Sequence, residues 1–89
     1  MLYNLYIGAN NTTGKVEKEK AIKLISKTFE GLTLTNASGY WQGKPEKSIV
    51  ISIETESKEL VLKVAKELTI ELKQDAVGVA KIGKMDFIA

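Results

Sequence analysis

Gly39-Tyr40-Trp41-Gln42-Gly43-Lys44-Pro45-Glu46-Lys47-Ser48, followed by Ile49-Val50-Ile51-Ser52-Ile53, decides how the 89-residue chain is read. Ile49, Ile51 and Ile53 share one face and Val50, Ser52 and Glu54 the other, which is the period of a strand with one buried side. The glycines and the single proline before that run mark a turn, with the loop placed at 42–47. Ahead of it, Leu32 to about Tyr40 is a second extended segment, rich in Thr and Leu. Its alternation slips between Asn36 and Gly39, which predicts a bulge or a twisted edge.

Outward from this hairpin, Leu2 to Ala9 alternates with Tyr3, Leu5, Ile7 and Ala9 on one side, predicting a strand. Asn10-Asn11-Thr12-Thr13-Gly14 favours a loop, because these side chains bond their own backbone or tolerate positive φ. From Val16 or Glu17 the period becomes helical, with Ala21, Ile22, Ile25, Thr28 and Phe29 on one stripe and Gly31 as the left-handed stop. A second helix starts after Ser57 and runs to Lys73, with Leu60, Val61, Val64, Ala65, Leu68 and Leu72 facing inward. Gln74-Asp75 turns the chain into a strand from Ala76 to Ile82, and Met85 to Ile88 adds a short terminal strand.

The order β-α-β-β-α-β is an α+β, ferredoxin-like two-layer sandwich forming a single domain over 1–89. Right-handed crossovers give a four-stranded antiparallel sheet of order 4-1-3-2 with both helices on one face. The directions of the elements bring Asn10 to Gly14, Tyr40 to Lys47 and Gln74-Asp75 to one end. On the open face, Leu2, Tyr6, Val50 and Leu34 are too apolar to be left in water, which predicts a homodimer or higher homo-oligomer.

The residues that carry the fold also resemble a family. Phe29-Glu30-Gly31-Leu32-Thr33, Gly39-Tyr40-Trp41-Gln42-Gly43, and Glu46-Lys47-Ser48 before the apolar strand resemble an uncharacterised family of small bacterial proteins. Its pattern is F-x-x-G-L-T, G-x-W-x-G, E-x-S and an apolar strand. Lys73-Gln74-Asp75-Ala76-Val77 and Asp86-Phe87 are similar to that family's Q-E-A-V segment and terminal strand. The chain departs from the family in lacking a longer, Arg-containing hairpin and an extra N-terminal segment. The family has no assigned activity, so the resemblance implies a fold and no chemistry; the compact chain suits a phage-encoded relative.

Composition narrows the chemistry. The sequence has no His, no Cys and no Arg, and all 13 basic residues are Lys. Imidazole bases, thiolate nucleophiles and the usual zinc, copper and iron ligand sets are therefore absent, and no metal or cofactor is expected. Lys grips phosphate only as a point charge, and a net charge of +2 spread over the chain is weak evidence for nucleic acid, reading better as a solvated Lys/Glu surface, so nucleic acid is not the expected partner. Tyr6 is the one aromatic placed for base stacking on an open sheet face, too few for an RNA-binding sheet. No apolar run approaches a membrane span and no signal peptide is evident, so a cytoplasmic protein is expected.

Two segments are candidate sites. Asn10, Asn11, Thr12 and Thr13 precede a helix N-terminus, where backbone N–H groups suit an anion. Tyr40, Trp41, Lys44, Lys47 and Ser48 offer aromatic faces, cations and a hydroxyl, and Asp75 joins them from the third segment. The leading expectation is a non-enzymatic, homo-oligomeric module that binds a small anionic or nucleotide-like ligand, and in a phage could sequester a host signalling nucleotide. The alternative is a protein-interaction or inhibitor domain using the 40–47 hairpin. A small hydrolase using Asp75 or Glu46 ranks last.

Overall fold

Alternation of apolar and polar residues places Tyr3, Leu5 and Ile7 on the same buried face as Ile49, Ile51 and Ile53, and these six form the centre of the core. In the computed structural model, which describes residues 1–10 and 12–86 with the side chain of Trp41 excluded, the elements are β1 (Leu2–Gly8), α1 (Lys18–Ser26), β2 (Thr33–Trp41), β3 (Lys44–Glu54), α2 (Lys58–Glu71) and β4 (Gly78–Gly83). The sheet order is β2-β3-β1-β4 with every neighbouring pair antiparallel, which is the expected 4-1-3-2 arrangement. Ala21, Ile25 and Phe29, with Val61, Val64, Ala65, Leu68 and Leu72, close over the sheet from the helical layer.

Several boundaries differ from the sequence expectation, each for a local reason. The first helix ends at Ser26, four residues short of Glu30. Its final turn tightens, with Lys27 N–H donating to the Leu24 carbonyl and Thr28 N–H to that of Ile25. This keeps Phe29 in the core while leaving Thr28 exposed. Gly31 is not in the left-handed region, so it is not the expected cap. Ile22 and Leu60, expected inside, are 38% and 39% exposed because each lies at the margin of its helix's buried stripe.

No bulge interrupts β2: pairing with β3 is continuous from Thr33↔Ser52 to Trp41↔Lys44. The irregularity lies instead in β4, where Leu2 opposes Gly83 while Tyr3 opposes Lys81, leaving Ile82 as an extra, exposed residue. The register also corrects Leu34, which opposes buried Ile51 and packs against the core rather than on the open face. The predicted terminal strand extends beyond the described residues; Met85 and Asp86, which are described, are not in a strand.

The loop expected at 42–47 is a two-residue turn. Gln42 and Gly43 both have positive φ, 52° and 77°, and β3 resumes at Lys44. Such a type I′ turn matches the right-handed twist of the flanking strands. Since Gly8 of β1 pairs with Ser48, residues 44–47 of β3 pair with β2 alone and project past β1 by four residues, roughly 13 Å. Pro45, which has no N–H to give, lies in this projecting part, where β1 needs none.

Candidate functional site

Ser57 caps α2 by accepting from Leu60 N–H at 3.2 Å, and the other end of that helix shapes the site. Lys73 takes a left-handed φ of 51°, with Gln74 N–H donating to the Thr69 carbonyl at 3.0 Å and Lys73 N–H to that of Ile70 at 3.4 Å. These are the two bonds of a Schellman motif, normally built on glycine. The reversal carries Gln74 to β1, where its side-chain amide donates to the Ala9 carbonyl at 2.8 Å. The α2–β4 turn is thereby fastened to the start of the first loop.

Asn10 organises that loop. It is 6% exposed, and its Oδ1 accepts from Thr12 N–H at 2.7 Å and Thr13 N–H at 3.1 Å. Asn10 N–H donates to the Lys15 carbonyl and Gly14 N–H to that of Asn10, both at 2.8 Å, with Gly14 at a φ of 71°. Thr13 Oγ1 accepts from Lys15 N–H. The backbone donors that an anion would need at Thr12 and Thr13 are therefore directed to Asn10 itself.

Around these fixed points lies a cavity of about 940 Å³. The first loop contributes Gly8, Ala9, Asn10 and Gly14, the hairpin Pro45, Glu46 and Lys47, and the third segment Gln74, Asp75 and Ala76. Three segments distant in sequence thus meet at one pole. A second cavity of about 580 Å³ adjoins it, lined by Gly14, Lys15, Val16, Lys18, Asn36, Ala37, Lys47 and Ser48. Gly14 and Lys47 line both.

The expected site residues divide. Asn10, Lys47 and Asp75 line the larger cavity, and Lys47 and Ser48 the smaller. Thr12 and Thr13 are exposed and line neither. Tyr40, 72% exposed, and Lys44 stand on the projecting hairpin away from both. Asn11 and the side chain of Trp41 lie outside the described residues. Sequence reasoning placed Gln74 only in a turn and attached no site role to Lys15, Lys18 or Asn36. The signal for Gln74 was its position just after the end of α2, in the turn that leads back to the sheet.

A further cavity of about 550 Å³ sits at the opposite pole, between the end of α1 and β3, with Phe29, Leu32 and Glu54 among its lining residues. Glu54 accepts from the Met1 ammonium, joined by Glu56 at 3.1 Å, and this pair raises the pKa of the ammonium. Among the described residues, no group of three or more acidic, His or Cys side chains could hold a metal ion. Among the described residues no helix is long and apolar enough to cross a membrane.

Comparison with known proteins finds no matching family model and no matching curated protein. Among solved structures, the chain is similar to a phage SAM lyase in its apo state, with a TM-score of 0.65 and 21% identity over 88% of this chain and 75% of that one. It is also similar to a DUF3240 family protein from Shewanella baltica OS155, with a TM-score of 0.60 and 13% identity over 99% and 96% of the two chains. At these identities the likeness is one of fold. It nevertheless overturns the expectation of a non-enzymatic protein, because a chain of this architecture is an enzyme. That expectation leaned on missing His, Cys and Arg, yet carboxylates, lysines and backbone groups are themselves sufficient for much acid–base and electrostatic catalysis.

Proposed function

We propose that the chain binds SAM, or a sulfonium nucleoside of the same class, in the cavity bounded by Asn10, Glu46 and Asp75, and breaks its carbon–sulfur bond there as a lyase. The observation that carries this reading is the charge of the lining: two carboxylates, Glu46 and Asp75, against one ammonium, Lys47, leave a net −1 on a chain whose overall charge is +2. A polyphosphate nucleotide would bring its charge against both carboxylates. SAM instead carries a sulfonium and an ammonium against a single carboxylate, so its net positive charge complements the lining. The cavity volume lies within the range of roughly 300–1,000 Å³ common for small-molecule sites.

In the bound state Glu46 and Asp75 attract the cationic centres, and Lys47 meets the carboxylate. When the carbon–sulfur bond breaks, its electron pair stays on sulfur, which leaves as a neutral thioether. The remaining carbon fragment either gives up a neighbouring proton and forms a double bond, or is closed by its own carboxylate oxygen. In the first case Glu46 takes the proton and passes it to water; in the second no proton is lost. A phage carrying this activity would deplete a host metabolite rather than sequester one.

Self-association belongs to the same reading. The edge strand β2 (Thr33–Trp41) contains no charged residue, no proline and no bulge, the devices that normally keep edges from pairing. A second copy added at this edge lengthens the sheet and brings another surface to the projecting hairpin.

Mass spectrometry of SAM incubated with the purified chain tests the activity. The neutral thioether is expected to accumulate; Glu46→Gln is expected to slow it by about a hundredfold, the scale of one acid–base group, where a proton is removed, and far less where the substrate's own carboxylate closes the ring. Unchanged SAM, together with no rise in melting temperature on adding it, would overturn the proposal.

A further inference from the structure

The smaller cavity differs in charge from its neighbour across Lys47. Lys15, Lys18 and Lys47 line it, with no carboxylate, and the uncharged polar residues Asn36 and Ser48 complete the wall. Among the described residues none of the three lysines forms a salt bridge, whereas Lys20, the third residue of α1, is paired with Glu17 at 3.5 Å. Three elements contribute: the loop after β1 brings Lys15, the first residue of α1 is Lys18, and Asn36, Lys47 and Ser48 come from β2 and β3. In a chain with 11 acidic residues, an all-cationic concavity built from separate segments is a specific arrangement rather than a sample of the surface.

We infer that this cavity is a second binding site, for a ligand bearing a phosphate or diphosphate group. Several compact, hydrated ammonium groups suit an anion of high charge density, which each of them approaches as a point charge. Asn36 and Ser48 add neutral donors for the remaining oxygens. Because Lys47 and Gly14 line both cavities, the two sites are coupled. A phosphate that draws Lys47 towards Lys15 and Lys18 removes the only cation from the acidic cavity. It therefore changes affinity there, and by linkage the effect is reciprocal. The site itself does not depend on the identity of the ligand in the larger cavity.

Calorimetric titration with inorganic pyrophosphate at low ionic strength is the test. The double variant Lys15→Gln/Lys18→Gln is expected to weaken binding by about tenfold or more, as loss of two phosphate-facing charges should. Lys63→Gln/Lys66→Gln, on exposed positions of α2, makes the same change in net charge and is expected to leave binding within about twofold. Equal weakening by both pairs would show attraction to net charge alone and overturn the site, as would wild-type binding in Lys15→Gln/Lys18→Gln. Succinate separates phosphate from carboxylate recognition: binding as tight as that of pyrophosphate would refute the assigned ligand class. Absence of SAM cleavage would leave these titrations unaffected, so the two proposals fail separately.

Discussion

The Gln74 side-chain amide donates to the Ala9 carbonyl at 2.8 Å, joining two positions 65 residues apart. This bond holds the α2–β4 turn against the end of β1, and so holds Asp75 opposite the hairpin. Gly8 sits directly beneath it, with a Cβ at that position meeting Gln74 Oε1 at 3.5 Å. The acidic cavity therefore has one wall fixed by a single side chain.

Gln74→Ala is expected to lower stability by about 1–2 kcal/mol, from the lost hydrogen bond and the part-buried Ala9 carbonyl left behind. Urea unfolding followed by fluorescence reads this directly. The same variant should weaken ligand binding at the pole more than Lys73→Ala, which leaves the amide bond in place. Equal effects of the two variants on binding would deny Gln74 its positioning role.

At the hairpin, Gln42 occupies a left-handed position that asparagine adopts at lower cost. Gln42→Asn is expected to raise stability by roughly 0.5 kcal/mol through this turn. A melting temperature at or below that of the parent would mean that the turn is not of type I′ in solution.

Most of the architecture was legible because it rests on period-two alternation in β1 and β3 and on helical spacing in α2. These patterns decide which face is buried, and the strand order follows from the crossovers. The length of the hairpin loop was not legible: Lys44, Pro45, Glu46 and Lys47 read as loop residues, yet they form a strand paired on one side only. For the same reason Tyr40 and Lys44 seemed to belong beside Lys47, while the projection carries them beyond the cavity. Asn10 and Asp75 were found from the meeting of three segments at one pole. Lys15, Lys18 and Gln74 were missed because their roles depend on where α1 begins and how α2 ends.

The Met1 ammonium pairs with Glu54 and Glu56, and its pKa is raised, chiefly by the hydrogen bond to Glu54. A raised pKa means that the folded state holds this proton more tightly than the unfolded chain. The contribution is fully present below the unfolded value, about 7.7–8.0, and is lost as pH rises through the higher folded value. The 89-residue chain with a free amine should therefore melt higher than its N-acetylated form at neutral pH, with the difference closing in alkali. A gap that widens with pH would contradict the sign.

Self-association through β2 predicts a dimer or larger species in sedimentation at tens of micromolar. Thr35→Lys, which places a charge at the third residue of the edge strand, should shift it to monomer without unfolding it. A monomeric parent chain at that concentration would refute pairing through β2.

The central claim is that ligand is held at the pole where the three segments meet. Amide NMR during titration with a non-cleavable, positively charged analogue of SAM locates binding by residue. The largest shifts are expected at Gly8 to Asn10, Gly14, Glu46 to Ser48 and Gln74 to Ala76. Shifts concentrated at Phe29 to Thr33, around the cavity of the opposite pole, or no shifts at all, would contradict it.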